Sequence, residues 1–238
     1  PEFRVKPKYA PWIDIMLRFE GPVVAQNQML FASDWMTAKP ETPPSAFIYN
    51  VAPKANGFAA QVFSDGPTQR KGSSPQFLSA LISQARHKLI ISTPYFVPDY
   101  SLINTLCATA YRGVEVIMIF PKNNDSFVVA ATSRSYYKEL LEAGVQIYEF
   151  KDGLLHAKTL TIDGQITLIG STNLDLRSFD LNYENNIVLS DPTITAEVTE
   201  RQYHYIHASE AVSRQAVETW SLPRRIWNNV IATIGPVL

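Results

Sequence analysis

The sequence of 238 residues has a single cysteine, Cys107. No disulfide can form within the chain, so its fold must rest on a hydrophobic core. No apolar run approaches the roughly 18 residues of a membrane-spanning helix. Neither sign of charge dominates: 21 Lys and Arg stand against 22 Asp and Glu, a formal net charge of −1. That balance gives no global field toward nucleic acid or an anionic bilayer, and leaves room for a local basic pocket. No internal repeat and no signal peptide are visible. Pro1-Glu2-Phe3 reads as a cloning remnant, so native sequence upstream is expected.

What is present is ordinary globular material, 46% hydrophobic and 18% charged, which is enough for a substantial core in one or two domains. Residues 12–20 have an apolar bias and read as a strand. Gly21-Pro22 ends it, and Pro22 suits the first turn of a helix over 23–36. Residues 37–57, with four prolines and Asn56-Gly57, read as a linker. Strand and helix then alternate. Strands are predicted at 58–63, 89–92, 114–120 and 145–150, and helices at 76–86, 100–111 and 126–143. This rhythm predicts an α/β fold with a mixed, largely parallel central sheet flanked by helices on both faces. Strands at 156–162 and 165–169 are joined by Asp163-Gly164, a strong hairpin signal. A further strand is expected at 187–189. The tail from Pro192 reads as helices, broken near Leu222-Pro223.

The chemistry concentrates between 156 and 173. Alternation along a strand turns His156 and Lys158 to the same side. A buried strand has no use for an imidazole and a long cation at its start. Gly170-Ser171-Thr172-Asn173 closes the next strand: glycine permits close backbone approach, and Ser171 and Asn173 offer hydroxyl and amide donors. Two adjacent strands thus bring four polar side chains to one end of a sheet. Lys158 would neutralise a phosphate, Ser171 and Asn173 would bind its non-bridging oxygens, and His156 would supply a nitrogen nucleophile or a proton. The remaining histidines, at 87, 204 and 207, carry no motif. His204 and His207 read as helix-packing residues, and no metal site or cofactor is expected.

The spacing H-x-K-x(4)-D-x(6)-G-S-x-N is matched at every fixed position from His156 to Asn173. It resembles the signature of the phospholipase D superfamily. The resemblance implies that His156, Lys158, Ser171 and Asn173 line a phosphate site, and that Asp163 supports the strand–turn geometry without touching phosphate. It also implies that a downstream carboxylate, Glu184, holds the imidazole in one tautomer and leaves the other nitrogen free to attack. Further stretches are similar to bacterial cardiolipin synthases: Arg18 to Val24 with Phe31 to Trp35, Thr93 to Asp99, Arg112-Gly113-Val114, Ser133 to Tyr136, Leu140 to Val145, and Arg177-Ser178-Phe179 with Leu181 to Glu184.

Those enzymes carry two such motifs, and this chain carries one. Residues 1–36 are therefore expected to be the end of a preceding half, 37–57 a linker, and 58–238 a phospholipase D-like domain. The implied reaction is phosphatidyl transfer between phosphatidylglycerol molecules through a phosphohistidine. Its implied partners are a membrane surface and either the missing half or a second copy, with no nucleic acid. The implied location of the full-length protein is the bacterial inner membrane. Two alternatives stay open: a homodimeric phosphodiesterase or nuclease, and an isolated half that only binds phosphate. Open too are the roles of Tyr95 and Phe96 (substrate entrance or loop packing) and of Arg134 and Arg177 (lipid phosphate or ordinary ion pairs). The same holds for the amphipathic run from Arg224 to Ile234, which suits a membrane surface or the core.

Overall fold

The structure, a computed structural model, describes residues 7–43, 45, 47, 51–67 and 70–234. The expected cloning remnant and parts of the expected linker lie outside them. In chain order the elements are β1 (Trp12–Ile13), α1 (Pro22–Ala38), β2 (Ala59–Asp65), α2 (Ser73–Ser83), β3 (Lys88–Ser92), β4 (Phe96–Val97), α3 (Tyr100–Tyr111), β5 (Glu115–Pro121), α4 (Phe127–Ser135), α5 (Tyr137–Glu142) and β6 (Gln146–Phe150). There follow β7 (Leu154–Leu155), β8 (Thr159–Ile162), β9 (Ile166–Gly170), β10 (Leu174–Asp175), α6 (Leu176–Asp180), β11 (Glu184–Ser190), α7 (Pro192–His207), β12 (Ser209–Val212), α8 (Arg214–Glu218) and α9 (Leu222–Ile234).

Several helices begin where the sequence supplies a capping oxygen. Asp99 accepts from the Leu102 amide at 3.0 Å, Asp175 from Ser178 at 2.7 Å and Asp191 from Ile194 at 2.8 Å. The helix predicted over 126–143 is two helices, with Tyr136 at the junction.

Eight strands form one sheet in the order β12-β6-β5-β3-β8-β9-β11-β2. The sheet is mixed and flanked by helices, as predicted. Only β3–β5 and β5–β6 pair in parallel; the other five neighbours are antiparallel. The parallel share is smaller than the sequence rhythm suggests because the helical connections β2–α2–β3 and β11–α7–β12 join strands that are not neighbours in the sheet, and β8 and β9 are a hairpin. One core lies between the sheet and α2, α3 and α5, where Leu89, Ile91, Val116, Met118 and Leu160 meet Leu81, Leu106 and Leu140. The alternate residues Ile90, Ile117 and Ile119 face α7 on the opposite side. Buried Gln202 on α7 ties that face to the sheet, accepting from the Thr161 hydroxyl at 2.7 Å and donating to the Ile90 carbonyl at 3.2 Å.

The predicted strand at 12–20 pairs only over β1, which lies parallel to β7. Beyond it the chain stays extended without a partner strand. Ile15, Leu17 and Phe19 turn toward the sheet, while Asp14, Met16, Arg18 and Glu20 are exposed. The period of two survives because one face is buried, even though no ladder forms.

Candidate active site

His156 and Lys158 do not sit on a strand. They occupy the bend between β7 and β8, where the Ile13 carbonyl accepts from the amides of His156 at 2.7 Å and Ala157 at 3.2 Å. The two side chains still meet, as alternation required. Lys158 Nζ lies 3.0 Å from His156 Nε2 and 3.1 Å from Nδ1, and donates to the His156 carbonyl at 2.7 Å.

At the end of β9, Gly170 lets the next strand approach. A Cβ there would run into the Asn186 side chain and the Asn185 carbonyl of β11. Ser171 then hydrogen-bonds the Glu184 carboxylate, and its oxygen accepts from the Asn185 amide at 2.9 Å. Asn173 is buried. Its Nδ2 donates to Ser178 Oγ at 3.1 Å and keeps a second N–H for a ligand oxygen, while its buried Oδ1, an acceptor, has no partner among the described residues. His156, Lys158, Gly170, Ser171, Asn173 and Glu184 line one open cavity of about 650 Å³, together with Asp14 and Met16.

Glu184 is not the carboxylate on the histidine. Its oxygens are taken by Ser171 and, at 3.1 Å, by the Asn182 amide. Asp14 holds His156 instead, with Oδ2 2.9 Å from Nδ1. The segment after β1 lines the cavity with Asp14, Ile15 and Met16 and delivers this carboxylate from the far end of the sequence. Burial pushes the Asp14 carboxyl up, but the hydrogen bond from His156, the Ile15 amide and the charge of Lys158 outweigh it and hold it below the ordinary value. Trp12 stacks on the imidazole at 4.5 Å between ring centroids, and Tyr95 meets it edge-on at 6.4 Å. Neither Asp14 nor Trp12 belongs to the motif. The one signal for Asp14 in the sequence is a lone carboxylate inside an apolar stretch.

Asp163 lies away from the cavity, at the β8–β9 turn. Asp163 and Gly164 both have positive φ, 52° and 66°, and the Gln165 amide closes the turn onto the Ile162 carbonyl at 2.9 Å. The Asp163 carboxylate accepts from the backbone amides of Arg86 at 2.8 Å, His87 at 2.8 Å and Lys88 at 2.7 Å. The side chains of His87, His204 and His207 are exposed, so the last two do not pack the helix as expected. Phe96 is core, whereas Tyr95 faces the site and donates to Asp125 at 2.8 Å. Arg134 is an ion-pair residue, 3.3 Å from Glu149. Arg177 is exposed, and its guanidinium has no hydrogen bond or ion pair among the described residues. No three metal-ligating side chains come together among the described residues.

Lys158 sets the charge of the site. Burial lowers its pKa to about 8, against the pull of Asp14, Glu184, Asp175 and Asp125. The folded value lies below the ordinary ~10.4, so the unfolded chain binds the proton more tightly between about pH 8 and 10.4. Stability therefore gains from this group as pH rises through that window and loses as pH falls through 8. Ligand binding runs the other way, because the phosphate needs the ammonium. Affinity for a phosphodiester is expected to fall about tenfold per pH unit above pH 8. Titration of a soluble phosphodiester by calorimetry at pH 7, 8 and 9 checks this, and Lys158→Met should flatten the dependence.

Known proteins place this geometry. A family profile described as cardiolipin synthase, phospholipase D-like domain, matches residues 78–204. Cardiolipin synthase A of Proteus mirabilis is 38% identical over 95% of this chain and 47% of its own length. Cardiolipin synthase A of Serratia proteamaculans is 41% identical over 92% of this chain and 45% of its own length. The chain thus spans about half the length of the curated relatives it matches. Among solved structures, phosphatidylserine synthase of Haemophilus influenzae aligns with a TM-score of 0.60 over 79% of this chain and 49% of its own, at 16% identity. Nuc of Salmonella typhimurium, a phospholipase D family member, aligns with a TM-score of 0.57 over 65% of this chain and 98% of its own, at 17% identity. These two likenesses establish the fold. The profile covers more than half of the chain and includes the whole His156–Asn173 motif, and this chain belongs to the cardiolipin synthase, phospholipase D-like domain family.

Proposed function

We propose that this chain is one catalytic half of a cardiolipin synthase, a phosphatidyltransferase that joins two phosphatidylglycerols and releases glycerol. The observation that carries the reading is the cavity in which Asp14, His156, Lys158, Ser171 and Asn173 converge. Asp14 on Nδ1 favours the tautomer with its lone pair on Nε2, the nitrogen 3.0 Å from Lys158 Nζ, and the incoming phosphate draws that ammonium onto its own oxygens. Nε2 attacks, a nitrogen–phosphorus bond forms, and the phosphorus–oxygen bond to the departing glycerol breaks. That alkoxide takes a proton from a general acid on the far side of phosphorus. The hydroxyl of a second phosphatidylglycerol then attacks the phosphohistidine, returning its proton to the same group and freeing His156. Lys158 offsets the phosphate charge, and Ser171 and Asn173 bind its oxygens.

The chain has no second motif, so the general acid comes from another phospholipase D-like unit, either a preceding half or a second copy. In this reading residues 1–36 finish that preceding half, 37–57 link the halves, and 58–238 form the domain described above. No described helix is long and apolar enough to cross a membrane. The reading places the whole protein at the bacterial inner membrane, where its lipid substrates are.

The test measures cardiolipin and glycerol formed from phosphatidylglycerol vesicles, with single-stranded DNA as the competing phosphodiester. It uses the chain as it stands and a chimaera in which it replaces the matching half of a longer relative. Cardiolipin formation that disappears in His156→Ala is expected. DNA cleavage lost in His156→Ala, with no lipid turnover, would overturn the reading.

A further inference from the structure

Beside the phosphate cavity lies a second one, of about 510 Å³, between α4 and the β10–α6 segment. Its volume is in the range that encloses most of a small ligand. Tyr95 connects them: it lines the second cavity, and its ring meets His156, which lines the first, edge-on at 6.4 Å. The two spaces are therefore neighbours across one aromatic side chain. Val97, Val128, Val129, Leu176 and Leu181 make the walls apolar.

Two of the three carboxylates on those walls are already engaged. Asp125 accepts from the Tyr95 hydroxyl at 2.8 Å, and Asp175 caps α6 through the Ser178 amide at 2.7 Å. Asp180, the third carboxylate, the Thr132 hydroxyl and the Arg177 guanidinium have no hydrogen-bond partner among the described residues, and the charge of Arg177 acts on Asp175. An apolar ligand would find a wall of five aliphatic side chains, with these polar groups beside it. The surroundings are apolar too. Leu181 is 65% exposed, Phe127 at the start of α4 is 67% exposed, and Trp227 of α9 lies against Phe127 with ring centroids 6.2 Å apart.

We propose that this cavity is the slot for an acyl chain of the phospholipid whose phosphate sits against His156 and Lys158. The proposal rests on the lipid-phosphodiester reading above and deepens it. The site then reads a lipid at two points. Lys158, Ser171 and Asn173 hold the phosphate, and the walls around Tyr95 withdraw methylenes from water. The exposed Phe127, Leu181 and Trp227 are placed for the chain to enter from an apolar phase without crossing water. Arg177 has its cation in reach of an ester carbonyl or a second lipid phosphate.

The test is binding of soluble phosphatidylglycerols with acyl chains of four to eight carbons, kept below micelle formation, against the fully deacylated glycerophosphodiester. Each methylene seated in the slot should raise affinity about fourfold. Val129→Trp, which fills the slot, should flatten that rise and leave affinity for the deacylated diester unchanged. Leu181→Asp places a charge at the mouth without touching the core; it should flatten the rise as well, and it keeps the test decisive if Val129→Trp melts early. Affinity independent of chain length, or a rise that survives both variants, overturns the slot. The lipid-phosphodiester reading fails by a different result: a deacylated diester that does not bind, or binds equally well to Lys158→Met.

Discussion

Replacing His156 by alanine is expected to lower phosphodiester turnover by roughly 10⁴-fold or more, the scale on which loss of a nucleophile leaves only binding and charge stabilisation. Asp14→Asn should cost less, about 10- to 100-fold, within the range of acid–base and orienting effects. A fully buried carboxylate behind a catalytic histidine can be worth about 10⁴-fold, but the Asp14 side chain is 55% exposed and water can partly replace it. The comparison with Glu184 makes the prediction sharp. Asp14→Asn removes the acceptor 2.9 Å from Nδ1, whereas Glu184→Gln changes a group bonded to Ser171 and Asn182. Nitrogen NMR of His156 should therefore show loss of the Nδ1-protonated tautomer in Asp14→Asn and its retention in Glu184→Gln. The opposite pattern would return the orienting role to Glu184 and leave Asp14 a bystander. Turnover alone cannot separate the two carboxylates, since both line the cavity, and the tautomer can.

The histidine's neighbours mark how far the sequence could be read. The motif residues are local: His156, Lys158, Ser171 and Asn173 fall within 18 positions, just outside the ends of two strands joined by a tight turn, so spacing was enough to bring them together. Asp14 is 142 positions from His156. No periodic rule reaches that far, and the segment that carries it has no partner strand whose register could have been guessed. The strand directions were half legible for a similar reason. A helix between two strands implies a parallel pair, and β3, β5 and β6 obey. Nothing in the composition of residues 59–65 says that they pair antiparallel to β11, more than a hundred positions later. Arg134 shows the limit for single residues: whether it meets a lipid phosphate or an acid of its own sheet depends on Glu149, which lies on β6 rather than in the motif.

Asp163→Ala is expected to destabilise the fold by about 2–4 kcal/mol, read by urea unfolding, even though the residue touches nothing in the catalytic cavity. Two costs add. Three backbone amides, of Arg86, His87 and Lys88, lose their acceptor at the point where the chain enters β3. Alanine must also hold φ near 52°, where aspartate and asparagine are better tolerated. Asp163→Asn separates these contributions. It keeps the turn and one oxygen, so the two bonds to Oδ1 can survive, and it should cost about 1 kcal/mol. The charge itself is tested by acid. Burial pushes the Asp163 carboxyl up, but the three amides outweigh it and hold the pKa below its ordinary value. A carboxyl depressed in the folded state contributes its full stability above the unfolded value of about 3.9 and loses it as pH falls through the folded value. Part of the acid-induced loss of stability below about pH 4 should therefore vanish in Asp163→Asn. Turnover by folded Asp163→Asn at neutral pH and low temperature should stay near that of the parent protein. A large drop in turnover with an unchanged urea midpoint would instead place Asp163 in the chemistry, because only a catalytic role predicts a loss of rate without a loss of stability.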